Sequence, residues 1–411
     1  MQALYTCNIN VTDSAPPPIP LAAAWARRFP ASPSRPLLNL AQGVPGSPPP
    51  QQVLDKLADY ARDPDTTKYG ALEGDDGLRS ALAADINRTY GERTQPVTKA
   101  DVVITAGCNL AFYSTMLALA QPGDEVILPT PWYFNAEMCL RQLGISLVPL
   151  ACTAPSFLPS PTACAALVTP RTRAIVLVSP NNPTGATYPP ALVREFAELA
   201  RRNKVALVLD ETYRDFVVDG PPHDLFADTE WREYLVHLFS FSKSYAIPGH
   251  RLGALVASPS FVAQVSKLLD CLQICPARPA QRAIEWAVDA TRAWREATRD
   301  ELARRQGLFR ELLGEVEGWE VETGGAYFAY VKHPFAGSSS ELVAARLGEH
   351  VGVVVLPGTF FSPPFTNVDD DRYIRFSIAN VDERTLRLVP DRLRELNALW
   401  PSLSSPSSAE A

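Results

Sequence analysis

Short, almost continuous apolar runs alternate with amphipathic helical segments through the middle of the chain. The runs at residues 174–178, 205–209 and 234–239 contain few polar side chains, which is typical of strands whose two faces are both covered. Between the first two runs, residues 191–203 carry apolar side chains at helical spacing. This alternation predicts an α/β fold in which helices cover both faces of a mostly parallel central sheet and crossovers are right-handed.

The pattern changes after residue 283, where a long helical stretch is followed by short strands and a final helix. A chain of 411 residues is also too long for one compact domain. We therefore predict a large domain at residues 53–284 and a smaller α+β domain at residues 285–400. The proline-rich residues 1–52 are expected to form an extended arm and a segment of the smaller domain, and the Ser/Pro/Ala-rich residues 401–411 a disordered tail.

Charge and cysteine usage argue against several classes of partner. The formal net charge is −7 and no basic block occurs, so nucleic acid is not an expected partner. No apolar run is long enough to cross a membrane, and the first residues do not resemble a secretory signal. The seven cysteines are scattered without a CxxC pair, which argues against a zinc site and favours reduced thiols in the cytoplasm.

The apolar run at residues 234–239 is followed by hydroxyls and cations. Ser240, Ser242 and Lys243 come directly after it, and Arg251 follows a few residues later. Ligands of open α/β sheets bind at the carboxyl ends of the strands. Serine hydroxyls and an arginine can hold a phosphate, and a lysine amine can form a Schiff base with an aldehyde. The alternative is a surface Lys/Arg pair that merely follows a strand.

Asp210 and Tyr213 come at and just after the end of another strongly apolar run. A carboxylate at the end of a buried strand is costly unless it has a cationic partner, and a protonated pyridine nitrogen would be such a partner. Tyr213 can donate a hydrogen bond to a hydroxyl on the same ring. The alternative is that Asp210 caps the next helix.

Three further residues lie where predicted strands end. Asn182 stands in the sequence SPNNPTG, whose turn-forming residues aim its amide at the end of the preceding strand. Gly107 lies where a strand turns into a helix, whose free N–H groups can bind phosphate, and Tyr133 offers a flat face for stacking. The alternatives are a plain Asn-Pro turn, a common strand–helix glycine and a core aromatic residue. Together with the two preceding segments, these residues describe one ligand, a phosphorylated, hydroxylated pyridine aldehyde.

On these motifs, and over nearly its whole length, the chain resembles the class I/II family of pyridoxal 5'-phosphate (PLP) dependent aminotransferases, which have fold type I. The resemblance implies that Lys243 is the catalytic Schiff-base lysine and that Asp210 pairs with the pyridine nitrogen. It implies that Tyr213 and Asn182 bond the ring hydroxyl and that Tyr133 stacks on the ring. It also implies a set of cofactor-binding positions around the phosphate: Gly107, Cys108, Asn109, Ser240, Ser242 and Arg251.

The resemblance extends to the substrate and to a second chain. Arg375, in the sequence YIRFS, corresponds to the arginine that binds the substrate α-carboxylate at both oxygens, and Asn182 is a further expected substrate-binding residue. Gly43 corresponds to the glycine whose backbone approaches that carboxylate. Tyr69 corresponds to a tyrosine that reaches the phosphate of the neighbouring subunit's cofactor. The resemblance therefore implies a homodimer with shared active sites that moves an amino group between an amino acid and a 2-oxo acid.

The expected side-chain pocket departs from the family pattern at three places. His250 stands where many relatives carry tryptophan, and Gly46 and Ser47 replace an acidic-aromatic pair. Asn109 lies where some acid-selective members carry lysine. No second cation occurs at a recognised side-chain position, and a buried carboxylate without a partner is strongly disfavoured. We therefore expect neutral, apolar or aromatic amino donors.

Two other kinds of protein remain open at this point. The same carbanion chemistry serves PLP-dependent lyases, cyclopropane-forming synthases and oxidases on this scaffold, and the motifs do not separate them from transaminases. A more distant alternative is a regulator that uses the fold to sense PLP. Such regulators carry a DNA-binding segment, for which the proline-rich start leaves no room.

Overall fold

The structure, a computed structural model, describes residues 5–91 and 95–403, except for the side chain of Asp369. These ranges contain a seven-stranded sheet, a four-stranded sheet and a two-stranded pair. Their strands are β1 Leu38–Asn39, β2 Val102–Thr105, β3 Glu125–Thr130, β4 Ser146–Ala151, β5 Thr172–Val178, β6 Ala206–Asp210, β7 Leu235–Ser240, β8 Gly253–Val256, β9 Glu320–Gly325, β10 Phe328–Lys332, β11 Val353–Val354, β12 Leu356–Pro357 and β13 Tyr373–Ser377.

The α-helices of the same ranges separate these strands and cover the sheets. They are α1 Ile9–Thr12, α2 Ile19–Ala26, α3 Gln51–Arg62, α4 Asp76–Tyr90, α5 Cys108–Leu119, α6 Phe134–Gln142, α7 Pro161–Leu167, α8 Pro190–Asn203, α9 Phe241–Ser244, α10 Pro259–Leu272, α11 Arg278–Ala290, α12 Arg292–Gly314, α13 Ser340–Arg346, α14 Glu383–Leu386 and α15 Val389–Leu403.

The seven-stranded sheet has the order β2-β8-β7-β6-β5-β3-β4, and only β8 runs antiparallel to both of its neighbours. Leu207 and Leu209 of β6 pack into one core with helices α3, α4, α8 and α11, whereas Val208 packs into another with α5, α6 and α10. Successive strand residues point to opposite faces, so a strand covered on both faces needs a continuous apolar run. The predicted fold class is confirmed.

A second, smaller unit is built on the antiparallel sheet β12-β13-β10-β9. Helices α12, α13 and α15 contribute Phe309, Val343 and Leu393 to its core. Strand β1 joins the same core, because Leu38 is buried there and pairs with Val353 of β11 in parallel register. An N-terminal segment is therefore part of the smaller unit, while the domain limits drawn from the sequence stay predictions.

Two predicted elements have different limits in the structure. The helical stretch expected at residues 283–313 belongs to two helices, α11 and α12, which are separated at Thr291. The apolar run at residues 125–128, followed by Pro129 and Pro131, predicts a strand that ends before Pro129, but β3 continues through Pro129 to Thr130. Because β3 pairs with β5 only over Glu125–Ile127, the missing N–H of Pro129 removes no bond on that side.

Both ends of the described chain are more regular than their composition predicts. The proline-rich arm contains α1 and α2, and α2 has Pro20 in its first turn, where a missing N–H costs nothing. Helix α15 runs to Leu403, inside the segment expected as a tail, since Trp400 stacks on Phe335 and Leu403 packs on the small core. Residues 404–411 lie outside the described residues.

Among the helices of the described residues, none combines the length and apolar character that a bilayer crossing requires.

Candidate active site

A cavity of about 230 Å³ lies at the carboxyl ends of β5, β6 and β7, where β13 of the smaller unit also contributes to its wall. The strand register places Val178, Asp210 and Leu238 side by side, so the residues that follow these strands meet at one edge of the sheet. Most of the site residues predicted from the sequence line this cavity, namely Gly43, Cys108, Asn109, Tyr133, Asn182, Asp210, Tyr213, Ser240, Ser242, Lys243, Arg251 and Arg375.

Lys243 reaches the cavity from α9, which follows β7 directly. Its Nζ donates a hydrogen bond to the carbonyl oxygen of Gly43 over 2.6 Å. Burial, followed by the positive charges of Arg375 and Arg251, lowers the pKa of Lys243 to about 8. The amine therefore has a larger neutral, nucleophilic fraction near neutral pH than an exposed lysine.

Gly107 is the N-cap residue of α5 and has a φ of 90°. It lies behind the cavity wall, because a Cβ atom there would be 2.1 Å from Nη2 of Arg251. Only glycine lets the backbone approach this guanidinium so closely. Arg251, Ser240 and Ser242 line the same cavity as Cys108, the first residue of α5. The free N–H groups of the helix start, the guanidinium and the hydroxyls form a donor set that fits a phosphate.

The carboxylate of Asp210 faces the cavity. Its Oδ1 accepts a hydrogen bond from the N–H of Thr212 over 2.9 Å, and Sγ of Cys108 lies 4.0 Å from the same oxygen. Burial raises the pKa of Asp210, which the hydrogen bonds from Thr212 oppose only in part. In the part of the chain that the structure describes, no lysine, arginine or histidine pairs with this carboxylate. A protonated ring nitrogen fits here because it would supply the missing positive charge.

Arg375 is a buried cation held from several sides. Its Nη1 donates to Oδ1 of Asn182 over 2.9 Å, and its Nη2 donates to the carbonyl oxygen of Ala41. The guanidinium carbon lies 4.6 Å from the ring centre of Phe328 and 5.0 Å from that of Phe361. Burial lowers the pKa of Arg375 to about 10, so the side chain stays charged at neutral pH. A flat, fixed guanidinium of this kind is suited to binding a carboxylate at both oxygens.

Two tyrosines and a glycine complete the predicted wall. Burial raises the pKa of Tyr133 and of Tyr213, so both phenols stay protonated and can donate hydrogen bonds at neutral pH. A Cβ atom at Gly43 would lie 2.7 Å from Cζ of Phe328 and 3.5 Å from the hydroxyl of Tyr213. The backbone at Gly43 therefore passes close to the residues around Arg375.

Tyr69 is the predicted site residue that lies apart. Its side chain is 78% exposed and takes no part in the cavity wall of its own chain. Its predicted contact is with a second chain, and an exposed tyrosine is what such a contact requires.

Sequence reasoning missed several wall residues. Thr212 had a recognisable signal, because it stands in the same DETY motif as Asp210 and donates to it. Ile19 had none, because its place in the wall depends on how α2 packs against the rest of the chain. The other wall residues that were not predicted are Gln42, Val44, Phe134, Val178 and Pro248.

The chain is similar to known proteins over most of its length. The family model "Aminotransferase class I and II" matches residues 35–393. The aromatic aminotransferase ISS1 of Arabidopsis thaliana is 28% identical over 366 residues, which cover 87% of this chain and 89% of that protein. The arginine–pyruvate transaminase AruH of Pseudomonas aeruginosa is 31% identical over 348 residues, which cover 83% and 88%. A solved structure of a Thermus thermophilus aspartate aminotransferase double mutant has a TM-score of 0.86 at 27% identity, covering 96% of this chain and 100% of that one.

The fold and the site define a PLP-dependent enzyme that acts on amino acids. More narrowly, the chain belongs to the aminotransferase class I and II family and is a transaminase. The protein family, the cofactor and the enzyme class predicted from the sequence are thereby confirmed. The lyase, cyclopropane-forming synthase, oxidase and regulator alternatives are not favoured, since the matched proteins are named as aminotransferases or transaminases.

Proposed function

We propose that this transaminase transfers the amino group of a neutral, apolar or aromatic amino acid to a 2-oxo acid. The observation that carries the proposal is the set of cations in the cavity wall. Among the described residues, the lysine and arginine side chains that line the cavity are Lys243, Arg251 and Arg375. These three are assigned to the cofactor aldehyde, the phosphate and the substrate α-carboxylate. An acidic substrate side chain would then be buried without a partner from this chain, at a high cost in free energy.

The apolar part of the wall supports the same substrate class. Ile19 and Phe134 pack in one cluster with Ala41 and Phe361, and both of these contact Arg375. The end of the cavity that would receive the substrate carboxylate is therefore bordered by aliphatic and aromatic side chains. Burying an apolar substrate side chain against them is favourable by about 25 cal/mol for each Å² of surface removed from water.

We assign the steps of the reaction to individual side chains. When bound, PLP supplies an aldehyde that captures amino groups and a ring that withdraws electrons from the α-carbon. Lys243 would hold the aldehyde through Nζ, and the same amine is the base that would accept the α-proton of the substrate. Asp210 would balance the charge of a protonated ring nitrogen, while Tyr213 and Asn182 would donate hydrogen bonds to the ring hydroxyl. Arg375 orients the substrate by its carboxylate, so that the α-proton faces the lysine amine.

Two further parts of the proposal concern assembly and location. We propose a homodimer in which Tyr69 of each chain reaches the partner's phosphate site, supported by the exposure of this tyrosine.

We propose a cytoplasmic location, supported by the seven cysteines, all of which are free thiols. Cell fractionation tests the location, and recovery in a secreted or envelope fraction would contradict it.

Single half-reactions test the substrate class. The holoenzyme is mixed with one amino acid at a time, without an oxo acid, and the change in cofactor absorbance is followed. We expect leucine, methionine and phenylalanine to exceed aspartate and glutamate in catalytic efficiency by about tenfold or more, which corresponds to about 1.4 kcal/mol of transition-state discrimination. A lead of the acidic donors by the same factor contradicts the proposal. Repeated turnover must also require a 2-oxo acid, and formation of more than one product molecule per cofactor without one would indicate lyase or oxidase chemistry.

Asn109 offers a matched pair of variants for the same question. Asn109→Lys places a fourth cation in the wall and should raise the efficiency for aspartate relative to leucine by about tenfold. Asn109→Gln lengthens the side chain without adding charge and should leave the ratio unchanged. Equal ratios in the two variants would show that charge at this position does not select the substrate.

A further inference from the structure

The DETY motif contains one carboxylate that the cavity does not use. Glu211 follows Asp210 directly, yet its side chain is 1% exposed and is not part of the cavity wall. Since successive residues at the end of a strand point to opposite faces, Asp210 faces the cavity while Glu211 faces the core beneath the sheet. A fully buried carboxylate is costly unless the fold pairs it well.

Three side chains from three separate segments pair with Glu211, and we call them the Glu211 socket. The hydroxyl of Tyr90, at the end of α4, donates to Oε2 of Glu211. Nε2 of His237, in β7, lies 2.8 Å from this oxygen, and Nε2 of His223 lies 3.3 Å from it. Burial alone would raise the pKa of Glu211, but its interactions with His223 and His237 hold the pKa below its usual range.

The Asp210 carboxylate, in contrast, is oriented mainly by Thr212 of its own segment. The N–H of Thr212, two residues further along the chain, donates to it over 2.9 Å, and the Thr212 side chain also interacts with it. The peptide between them is fixed by Glu211, whose N–H donates to the carbonyl oxygen of Leu238 and whose carbonyl accepts from the N–H of Arg214, both over 3.0 Å. The direction of the Asp210 carboxylate therefore depends on where the backbone of Glu211 lies.

We propose that Glu211 is a positioning residue, whose socket fixes the segment that sets the Asp210 carboxylate against the ring nitrogen of PLP. The socket ties this segment to α4 and β7 from the side opposite the cavity. It acts on the cofactor through Asp210 and touches neither cofactor nor substrate. If Glu211 only stabilised the fold, its replacement would change the rate of α-proton removal by the same factor whether or not Asp210 is present.

Tyr90→Phe tests the socket with a matched control. It removes the hydroxyl that binds Glu211 and keeps the ring, which stacks on His223 at 4.4 Å. Tyr234→Phe is the control, because Tyr234 is buried in the same core and its hydroxyl donates to Asp228 over 3.0 Å at the far end of β7. As cofactor-free protein, Tyr90→Phe should lose at least as much stability to urea as Tyr234→Phe, because Glu211 is more deeply buried than Asp228. Only Tyr90→Phe should also weaken PLP binding to that protein, by about fivefold, as for the loss of one hydrogen bond.

A double-mutant cycle separates positioning from a purely structural effect. Glu211→Gln should slow α-proton removal by about tenfold while KM for the amino acid stays the same. In the Asp210→Asn background the same change should cost less than about twofold, because Glu211 acts through Asp210. If Glu211→Gln does not fold, Tyr90→Phe takes its place in the cycle.

Two results would overturn the proposal. One is an equal loss of PLP affinity in Tyr90→Phe and Tyr234→Phe, which would mean that the socket supports the fold alone. The other is full additivity of the Glu211 and Asp210 changes in the cycle. The substrate class plays no part in these readouts, so a wrong assignment of the amino donor would leave them unaffected.

Discussion

Nη1 of Arg375 donates a hydrogen bond to Oδ1 of Asn182 over 2.9 Å. Arg375 lies on β13 of the smaller unit, and Asn182 follows β5 of the large sheet. The side chain proposed to bind the substrate carboxylate is thus set directly against one proposed to bind the cofactor ring. If one sheet shifted relative to the other, the distance between these two side chains would change. The orientation of the substrate is therefore linked to the packing of the two units.

The first prediction concerns Arg375. Arg375→Lys should raise KM for the amino acid by about 10- to 100-fold, because a lysine cannot bind a carboxylate at both oxygens and a charge-assisted hydrogen bond is lost. The measurement is a set of half-reaction rates over a range of amino acid concentrations. Arg372→Lys is the control, since Arg372 is near the start of the same strand and donates to the backbone of His333 over 2.6 Å. Similar KM values in the two variants would contradict the assignment of Arg375 to the substrate-binding site.

The second prediction concerns the attachment of the cofactor. Borohydride treatment of the holoenzyme should fix PLP to Lys243, because its amine lies in the cavity and is partly neutral. Peptide mapping identifies the modified lysine. Lys243→Ala should bind PLP without forming a borohydride-stable adduct, whereas Lys204→Ala, on the surface at the end of α8, should be labelled as the wild type is. An adduct on another lysine of the wild-type protein would refute the assignment.

The third prediction concerns pH. In the cofactor-free protein the pKa of Lys243 is lowered to about 8, and the neutral amine is the form that attacks the aldehyde. The rate of PLP capture should therefore rise as pH increases from about 6 and level off above about 8, instead of rising towards the ordinary lysine pKa of about 10.4. Stopped-flow absorbance measures this rate, with Nα-acetyl-lysine, whose ε-amine is free, as the reference amine. A profile that matches the reference would show that the site does not lower this pKa.

The fourth prediction concerns assembly. If Tyr69 reaches the partner's phosphate site, Tyr69→Phe should weaken PLP binding by about 10- to 100-fold, because a hydrogen bond to a charged group is lost. The sedimentation coefficient should remain that of a dimer. Tyr60→Phe, on α3, serves as the control and should bind PLP normally. A fully active monomer in sedimentation would exclude the shared site.

Much of the large sheet and of its functional edge is predictable from local sequence. The runs that became β5, β6 and β7 are continuous because both faces of each strand are covered. Asn182, Asp210 and Lys243 stand directly after or at the ends of these runs. Parallel strands bring their carboxyl ends to one edge, so the order along the chain already predicts that these side chains meet.

Other features were decided only by tertiary packing. Sequence spacing predicted neither the bond between Arg375 and Asn182 nor the place of Ile19 in the cavity wall, because each joins segments that are far apart in the chain. The same holds for Glu211, whose partners Tyr90 and His237 come from a helix and a neighbouring strand. The apolar pattern and the strand-end motifs depend on neighbouring residues, so the sequence alone determined the fold class and the cofactor, and it predicts Lys243 as the lysine that binds this cofactor. Contacts between distant segments depend on how sheets and helices pack, so the orientation of Arg375 and the support beneath Asp210 follow from the tertiary structure.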